Sequence, residues 1–446
     1  MEKDQLSRRN FLEKSAILGA AGLAGISALS SCTNKSKTVD YEFPPLLDRA
    51  PNGKPIKAGL VGCGNRGTGA ALNFLAAGDD LHIVALADVF EDKVWDCRSK
   101  LQKQKIEVPE ANCFWGFDAY KDLLETDLDV VILATPPHFR PEHFDACVQA
   151  KKNVFMEKPV CVDPVGARQI IATSKKAENM GLTVITGTQR RHQRDYLETY
   201  KQVASGAIGE ITSAKAWWLQ SHVWFRTREE GWSDMEYMLR NWNNFSWLCG
   251  DHILDTHVHN IDIVNWFVGK VPESAIGFGG RARRLTGDQY DFFSIDFEFG
   301  EGMFSHSMSR QVDGCANTLG ERVMGTEGYT NCKNTIFNPD GSVKWKYEYP
   351  KNKEGKSTEV VKVSPYVQEH IHLVTAIRTN EPVVEAERTA ISTLTAIMGR
   401  TAAYTGQKVS WAEMMSSDMR LGPEEYEMGP VEMEFPVPVP GIQHKV

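Results

Sequence analysis

The stretch that decides the fold is "IKAGLVGCGNRGTGAALNFLAAGDDLHIVALADV", residues 56–89. It opens with a short apolar run, Ile56 to Val61, suited to a buried strand. Gly62, Gly64 and Gly67 follow in the spacing G-x-G-x-x-G. The next residues, "TGAALNFLAA", have helical apolar spacing, and "HIVALADV" is a second buried strand that contains Asp88. Each glycine has a physical task in this setting. Gly62 permits a tight turn, Gly64 lets the backbone approach a pyrophosphate, and Gly67 lets helix and strand pack closely. The helix N-terminus, with Asn65 and Arg66, then faces negative charge. Arg66 reads either as a phosphate contact or as a solvated loop charge. Asp88 stands about 20 residues past the last glycine, where a carboxylate accepts ribose hydroxyls. An acid there disfavours the extra phosphate of NADP, so the expected cofactor is NAD. A glycine triplet alone is a weak signal and also occurs as a turn in other α/β folds. Here strand, helix, strand and acid come in order.

The pattern continues downstream. "LDVVILATPPHFRPEHFDACVQA" and "KKNVFMEKPVCVDPVGARQIIATSKKA" each read as strand, loop and helix, and "LTVITGTQRR" begins another strand. Such alternation predicts an α/β fold with a parallel, doubly wound sheet. Ligands of such sheets lie outside the carboxyl ends of the strands. Two polar clusters fall there: Thr135, Pro136 and His138, and Glu157–Lys158–Pro159. A lysine at a strand end, partly desolvated beside a cofactor, has a lowered pKa and can exchange protons. The plainer reading of Lys158 is a surface loop lysine.

After Gln189 the character changes. Six of the 11 tryptophans fall between Trp217 and Trp247. Aromatic faces suit the C–H faces of sugars, although some of these rings must be core. Trp217, Trp242 and Arg190 are the candidate substrate contacts, with the adjacent Trp217 and Trp218 pointing to opposite faces of a strand. "GDHILDTHVHNID", residues 250–262, is the densest polar run. On one helix Asp255, His259 and Asp262 share a face. A carboxylate there can orient an imidazole and raise its pKa, which suits acid–base work. His257 and Asp251 are further substrate candidates. A metal site built from His252, His257, His259, Asp251 and Asp255 is the rival reading, but on a helix His257 and His259 face about 200° apart, so no metal is assigned. "SAIGFGGR", "DFFSIDFEFGEGMFSHSMSRQ" and "ERVMGTEGYTNCK" alternate as strands of an open, mostly antiparallel sheet. "PYVQEHIHLVTAIRT" and "ERTAISTLTAIMGRTAAYTG" are amphipathic helices. "EFPVPVPGI" reads as an extended arm of the kind that can cross a subunit boundary.

The chain has 446 residues, 42% hydrophobic and 24% charged, with a formal net charge of -8. That length suits two domains, and no basic nucleic-acid footprint is expected. Near the start, "SRRNFLEKSA", residues 7–16, precedes an apolar run too short to span a bilayer. The pattern resembles a twin-arginine export signal, a receptor-read address used by proteins already folded. "LSSC", Leu29 to Cys32, resembles a lipobox, and the alternative is an ordinary signal peptide that ends near a cysteine. The expected division is a signal at 1–32, a linker at 33–54, a nucleotide-binding domain at 55–188, an α+β substrate domain at 189–420 whose last helices are free to pack back on the first, and the arm at 421–446. The expected location is periplasmic, in a Gram-negative bacterium, with membrane attachment only through a lipid on Cys32.

"GLVGCGNRG", "ATPPH" and "MEKPV", in this order and spacing, resemble the Gfo/Idh/MocA oxidoreductases, over residues 55 to about 415. The resemblance implies that Lys158 contacts substrate and assists proton transfer, that Glu157 lies near the nicotinamide, and that homodimers or homotetramers form. The family pattern D-x-G-x-H-x-x-D matches as "DTHVHNID", which carries a substrate-binding role to Asp255 and a catalytic one to His259. His257 stands where glycine is usual, and Asp251 where a second glycine is common. The implied activity is NAD-dependent oxidation or reduction at a secondary hydroxyl or keto group of a sugar or glycoside, with a tightly held cofactor recycled within the cycle. The alternatives are a glycosidase working by transient oxidation, elimination, water addition and re-reduction, and a non-catalytic carbohydrate-binding lipoprotein.

Overall fold

A computed structural model describes residues 45–432 and 436–442. The expected export signal and lipidation site, and residues 33–44 of the expected linker, lie outside the described residues. β1 (Ile56–Val61), β2 (Leu81–Asp88), β3 (Cys113–Trp115), β4 (Val130–Leu133), β5 (Asn153–Met156) and β6 (Val184–Thr186) form one sheet in the order β3-β2-β1-β4-β5-β6. Every pairing in it is parallel. β1, β4 and β5 are buried along nearly their whole length, as strands covered on both faces must be. The order reverses between β1 and β4, which opens a crevice at their carboxyl ends.

The second sheet has nine strands: β7 (Ile211–Gln220), β8 (Ser274–Gly280), β9 (Phe292–Glu298), β10 (Phe304–Gln311), β11 (Thr318–Gly325), β12 (Gly328–Thr330), β13 (Thr335–Phe337), β14 (Val343–Lys346) and β15 (Val409–Ser410). Their order is β14-β13-β12-β11-β7-β10-β9-β8-β15, antiparallel except between β7 and β10. Alternate residues of β9 and β10, such as Phe293, Ile295, Phe297, Ser305 and Ser307, are buried. Helices Val258–Val268 and Ala386–Thr405 cover that face. The opposite face is open and partly apolar, with Ile276, Phe278 and Phe304 each more than half exposed.

Helix Pro365–Thr379 lies in the second half of the chain but packs on the first domain. Its Ile371, Leu373 and Val374 share one apolar core with Ile56, Leu60 and Phe74. Residues 45–54 are not a free linker. Leu47 accepts from Arg194 and Gln368, the Ala50 amide donates to Ala77, and Arg378 donates to Pro51. The described part of the C-terminal arm is likewise tied to its own chain. Tyr290 donates to the Pro438 carbonyl at 2.8 Å, and the Gly441 amide donates to Thr405 at 3.1 Å.

Candidate active site

The glycine loop leaves β1 with Gly62 at φ +99°, a backbone that favours glycine. A Cβ on Gly67 would stand 1.8 Å from the Gly62 carbonyl, whereas one on Gly64 would meet nothing within 4 Å. The loop is therefore tight where helix Asn65–Ala76 meets the sheet and open where a ligand can approach the backbone. Asp88, at the end of β2, accepts from the Cys63 amide at 2.7 Å and from the Phe90 amide at 3.0 Å. Burial raises its pKa. Gly62, Gly64, Asn65, Arg66, Gly67, Asp88, Thr135 and Pro136 all line one cavity of about 670 Å³. A pyrophosphate cradle, an acid for a ribose and a cleft between them fit NAD.

Arg66 lines this cavity but is already committed. It donates to Glu157 at 2.5 Å, lies 3.5 Å from Glu369, and sits 4.9 Å from the centre of the Tyr366 ring. Burial and the neighbouring Glu157 raise the pKa of Glu369. Thr135 shares a hydrogen bond with His143 at 3.3 Å. His138, expected at the cofactor, turns away from the cleft. It meets the Tyr426 hydroxyl at 2.7 Å and packs edge-on against Trp247. Burial drives its pKa down to about 3.

Glu157 and Lys158 follow β5 directly. The loop is held by Arg140, whose guanidinium donates to the Glu157 carbonyl at 2.9 Å and to that of Pro159. The Lys158 ammonium donates to the backbone carbonyl of Asp255. Burial lowers its pKa, against the opposing pull of Asp255 and Glu157. The Asp255 carboxylate accepts from Asn243 at 2.8 Å.

The 250–262 run is not one helix. Helix His252–Asp255 ends, and helix Val258–Val268 begins after Thr256 and His257. The break corrects the expected shared face. Asp255 and His259 are half-buried and reachable, while Asp262 is buried and grips Arg191 through two carboxylate oxygens. Asp262 therefore does not orient His259. The imidazole of His259 instead stacks on Trp218, with ring centres 6.0 Å apart. Its pKa is not raised but lies well below the usual range, through burial and the nearby cations Lys158, Arg190 and Arg66.

The remaining candidates separate from this group. His257 is buried and meets the Ser307 hydroxyl at 2.7 Å. Asp251 is buried, accepting from the amides of His252 and Tyr290 and from the Tyr404 hydroxyl at 2.5 Å. Both are held in the packing, not presented to a ligand. Arg190 is buried against Glu321 and 5.4 Å from the Trp218 ring centre, so it acts on the site through its charge. Trp217 lies on the other face of β7, its indole donating to Thr318 at 3.2 Å and its ring covering Gly320. Trp242 does line the nucleotide cavity. Asn243 and Arg140 are the participants that sequence reasoning passed over, and of the adjacent pair it is Trp218, not Trp217, that meets His259.

A glycine cradle with its acid, joined to a lysine at a neighbouring strand end and to a carboxylate and an imidazole on the two helices packed against it, defines a dinucleotide-dependent oxidoreductase. The comparisons with known proteins agree. Residues 56–186 match the model "Oxidoreductase family, NAD-binding Rossmann fold", and residues 196–330 match "GFO/IDH/MocA C-terminal domain". The chain belongs to the Gfo/Idh/MocA family of NAD-dependent oxidoreductases. It is 26% identical to a myo-inositol 2-dehydrogenase of Thermotoga maritima over 50% of this chain and 58% of that one. It is 25% identical to a glycosyl hydrolase family 109 protein of Shewanella pealeana over 49% of this chain and 47% of that one. The chain thus spans about half the length of these curated relatives. In fold it is similar to the scyllo-inositol dehydrogenase of Lactobacillus casei solved with bound NAD(H) and scyllo-inositol. The TM-score is 0.59 at 20% identity, over 80% of this chain and 99% of that one.

Proposed function

We propose that the protein oxidises or reduces a secondary hydroxyl or keto group of a sugar, polyol or glycoside. The observation that carries this reading is Lys158, next to the Glu157 that holds cavity-lining Arg66, donating to the Asp255 carbonyl one short break before His259. NAD, when bound, supplies the two-electron acceptor or donor. The chain's own residues handle the oxygen and its proton. Lys158, fixed by the Asp255 carbonyl, donates to the substrate oxygen and stabilises negative charge on it. Neutral His259 accepts the hydroxyl proton, or returns it in the reverse direction from its protonated form. The Asp255 carboxylate, steadied by Asn243, binds a neighbouring hydroxyl of the substrate. Trp218 fixes the imidazole plane and offers an apolar face to ring C–H groups.

The test is incubation of the purified protein with a panel of polyols and glycosides, without added nucleotide. Keto product in proportion to an added carbonyl acceptor supports the oxidoreductase. Free aglycone with no net redox change supports glycoside hydrolysis, a second reading favoured by the match to the glycosyl hydrolase relative. Neither product with any member of the panel contradicts both.

Two further expectations belong to the same reading. Export as a folded, lipid-anchored periplasmic protein rests on "SRRNFLEKSA" and "LSSC"; mass analysis of the mature N-terminus checks it, and an unmodified Met1 in membrane-free protein would contradict it. Self-association through the open sheet face rests on the exposed Ile276, Phe278 and Phe304; a monomeric sedimentation coefficient at micromolar concentration would contradict it.

A further inference from the structure

The nucleotide cleft has a second wall, and that wall comes from the other domain. Trp224, Phe225 and Arg226, in the irregular segment after β7, line the same cavity as the glycine loop and Asp88. So do Leu239 and Arg240 of helix Asp234–Arg240, and Trp242 just beyond it.

This wall is clasped to the nucleotide domain. The Arg240 guanidinium lies 3.9 Å from the centre of the Phe90 ring and donates to both carboxylate oxygens of Asp92, at 3.0 and 3.3 Å. Such a bidentate, stacked arginine is geometrically demanding to replace. Leu239 packs in one apolar cluster with Phe90 and Phe139. Internally, the Arg226 amide donates to Asn241 at 2.8 Å, and Asn244 donates to the Trp224 carbonyl at 3.1 Å. Behind it runs the C-terminal segment, which touches both domains. The Leu421 amide donates to Asp163 at 2.9 Å, the Met235 amide to Gly429 at 3.1 Å, and the Val431 amide to Asp234 at 3.3 Å.

We propose that residues 224–242 are a fixed cover that holds the dinucleotide as a resident group through the catalytic cycle, with Arg226 and Trp242 in direct contact with it. The chemistry matches on both sides. A dinucleotide brings a diphosphate and two flat rings. The cover presents indole faces and, in Arg226, a guanidinium with no carboxylate paired to it among the described residues. Departure of the nucleotide requires the Arg240–Asp92–Phe90 clasp to open and Leu239 to leave its apolar cluster. A resident nucleotide must end each cycle in the oxidation state in which it began. Each oxidation of a hydroxyl is therefore matched by reduction of a carbonyl, on a second sugar-like substrate or on the same one.

The inference rests on the cofactor being NAD, and the experiment separates the two. The full-length protein is passed through a gel-filtration column, and nucleotide released on denaturation is quantified by mass spectrometry. Exchange of bound nucleotide against isotopically labelled NAD is then timed. The cover predicts close to one nucleotide per chain after the column. It also predicts exchange faster by about tenfold or more in Arg240→Ala and in Arg226→Ala, since lost contacts act mainly on dissociation. Arg226 is exposed and its side chain holds no element in place, so that variant stays informative if Arg240→Ala folds poorly. Exchange within the mixing time in the unaltered protein, or at the same rate in both variants, overturns the cover. Protein that carries no nucleotide after the column and also takes up no labelled NAD overturns the cofactor assignment instead.

Discussion

At the residue scale the chemistry depends on keeping one imidazole neutral among cations. His259 is surrounded by burial and by the charges of Lys158, Arg190 and Arg66, all of which oppose a second proton on the ring. Lys158 is shifted in the same sense by burial, so its ammonium gives up a proton more readily than a free lysine. Two such groups at one oxygen can pass a proton without a large change in charge. His259→Ala is therefore expected to lower turnover by a factor of about 100 or more while NAD stays bound; steady-state rates with nucleotide occupancy check it, and undiminished turnover would remove His259 from the mechanism. Asp88→Ala should instead weaken NAD binding and leave the fold intact. Titration of the variant with NAD decides it, and an unchanged dissociation constant would contradict the ribose assignment.

At the element scale the site is made by ends and breaks. The Glu157–Lys158–Pro159 loop keeps its shape because Arg140 satisfies two of its carbonyls from within the protein. Loss of that guanidinium would leave both carbonyls buried and unpaired, a cost of about 1–3 kcal/mol each. Arg140→Met is thus expected to lower both thermal stability and turnover, and an unaltered melting temperature would contradict the account. The strand–glycine–helix–strand order and the two polar clusters at strand ends were legible from sequence because continuous apolar runs, the glycine triplet and a 3.6-residue apolar spacing mark them locally. The break at Thr256–His257 was not legible. "HILDTHVHNID" contains no glycine or proline to mark it, so helical spacing carried Asp255, His259 and Asp262 onto one face. The structure sends Asp262 to Arg191 and His259 to Trp218. Asn243 escaped notice for a similar reason, since only tertiary packing brings "WNNF" to Asp255.

At the scale of the whole molecule, the two sheets are held together by late parts of the chain. Helix Pro365–Thr379 completes the core of the first domain, and residues 421–431 bridge both domains at the cleft. Neither arrangement is written in local periodicity, which is why the tail reads from sequence as an extended arm able to cross a subunit boundary. Burial also gives the fold a directed pH dependence. His138, His143 and His257 each have a pKa depressed to about 3. A histidine depressed in the folded state contributes stability above its unfolded pKa, near 6.5, and loses it as pH falls toward the folded value. Each costs roughly 2 kcal/mol at pH 5. Asp288, raised to about 6, and Glu369, also raised, act in the opposite sense over part of this window. Asp88, Asp195 and Glu321 are raised as well, while His259, His370 and His372 are depressed together with the three histidines above, and the melting temperature is expected to be lower at pH 5 than at pH 7. Calorimetry checks this, and a melting temperature that is flat or rises toward pH 5 would contradict it.

The central claim is that a substrate carbinol carbon exchanges its hydrogen with NAD held beside Lys158 and His259. It is tested most directly by offering the purified protein a sugar or polyol deuterated at its carbinol carbons, with no carbonyl acceptor, quenching within a single turnover, and analysing the released nucleotide by mass spectrometry. The account predicts reduced nucleotide carrying the label in the unaltered protein, and loss of labelling in Lys158→Ala with nucleotide still bound. Nucleotide that is oxidised and unlabelled at every quench time would contradict it.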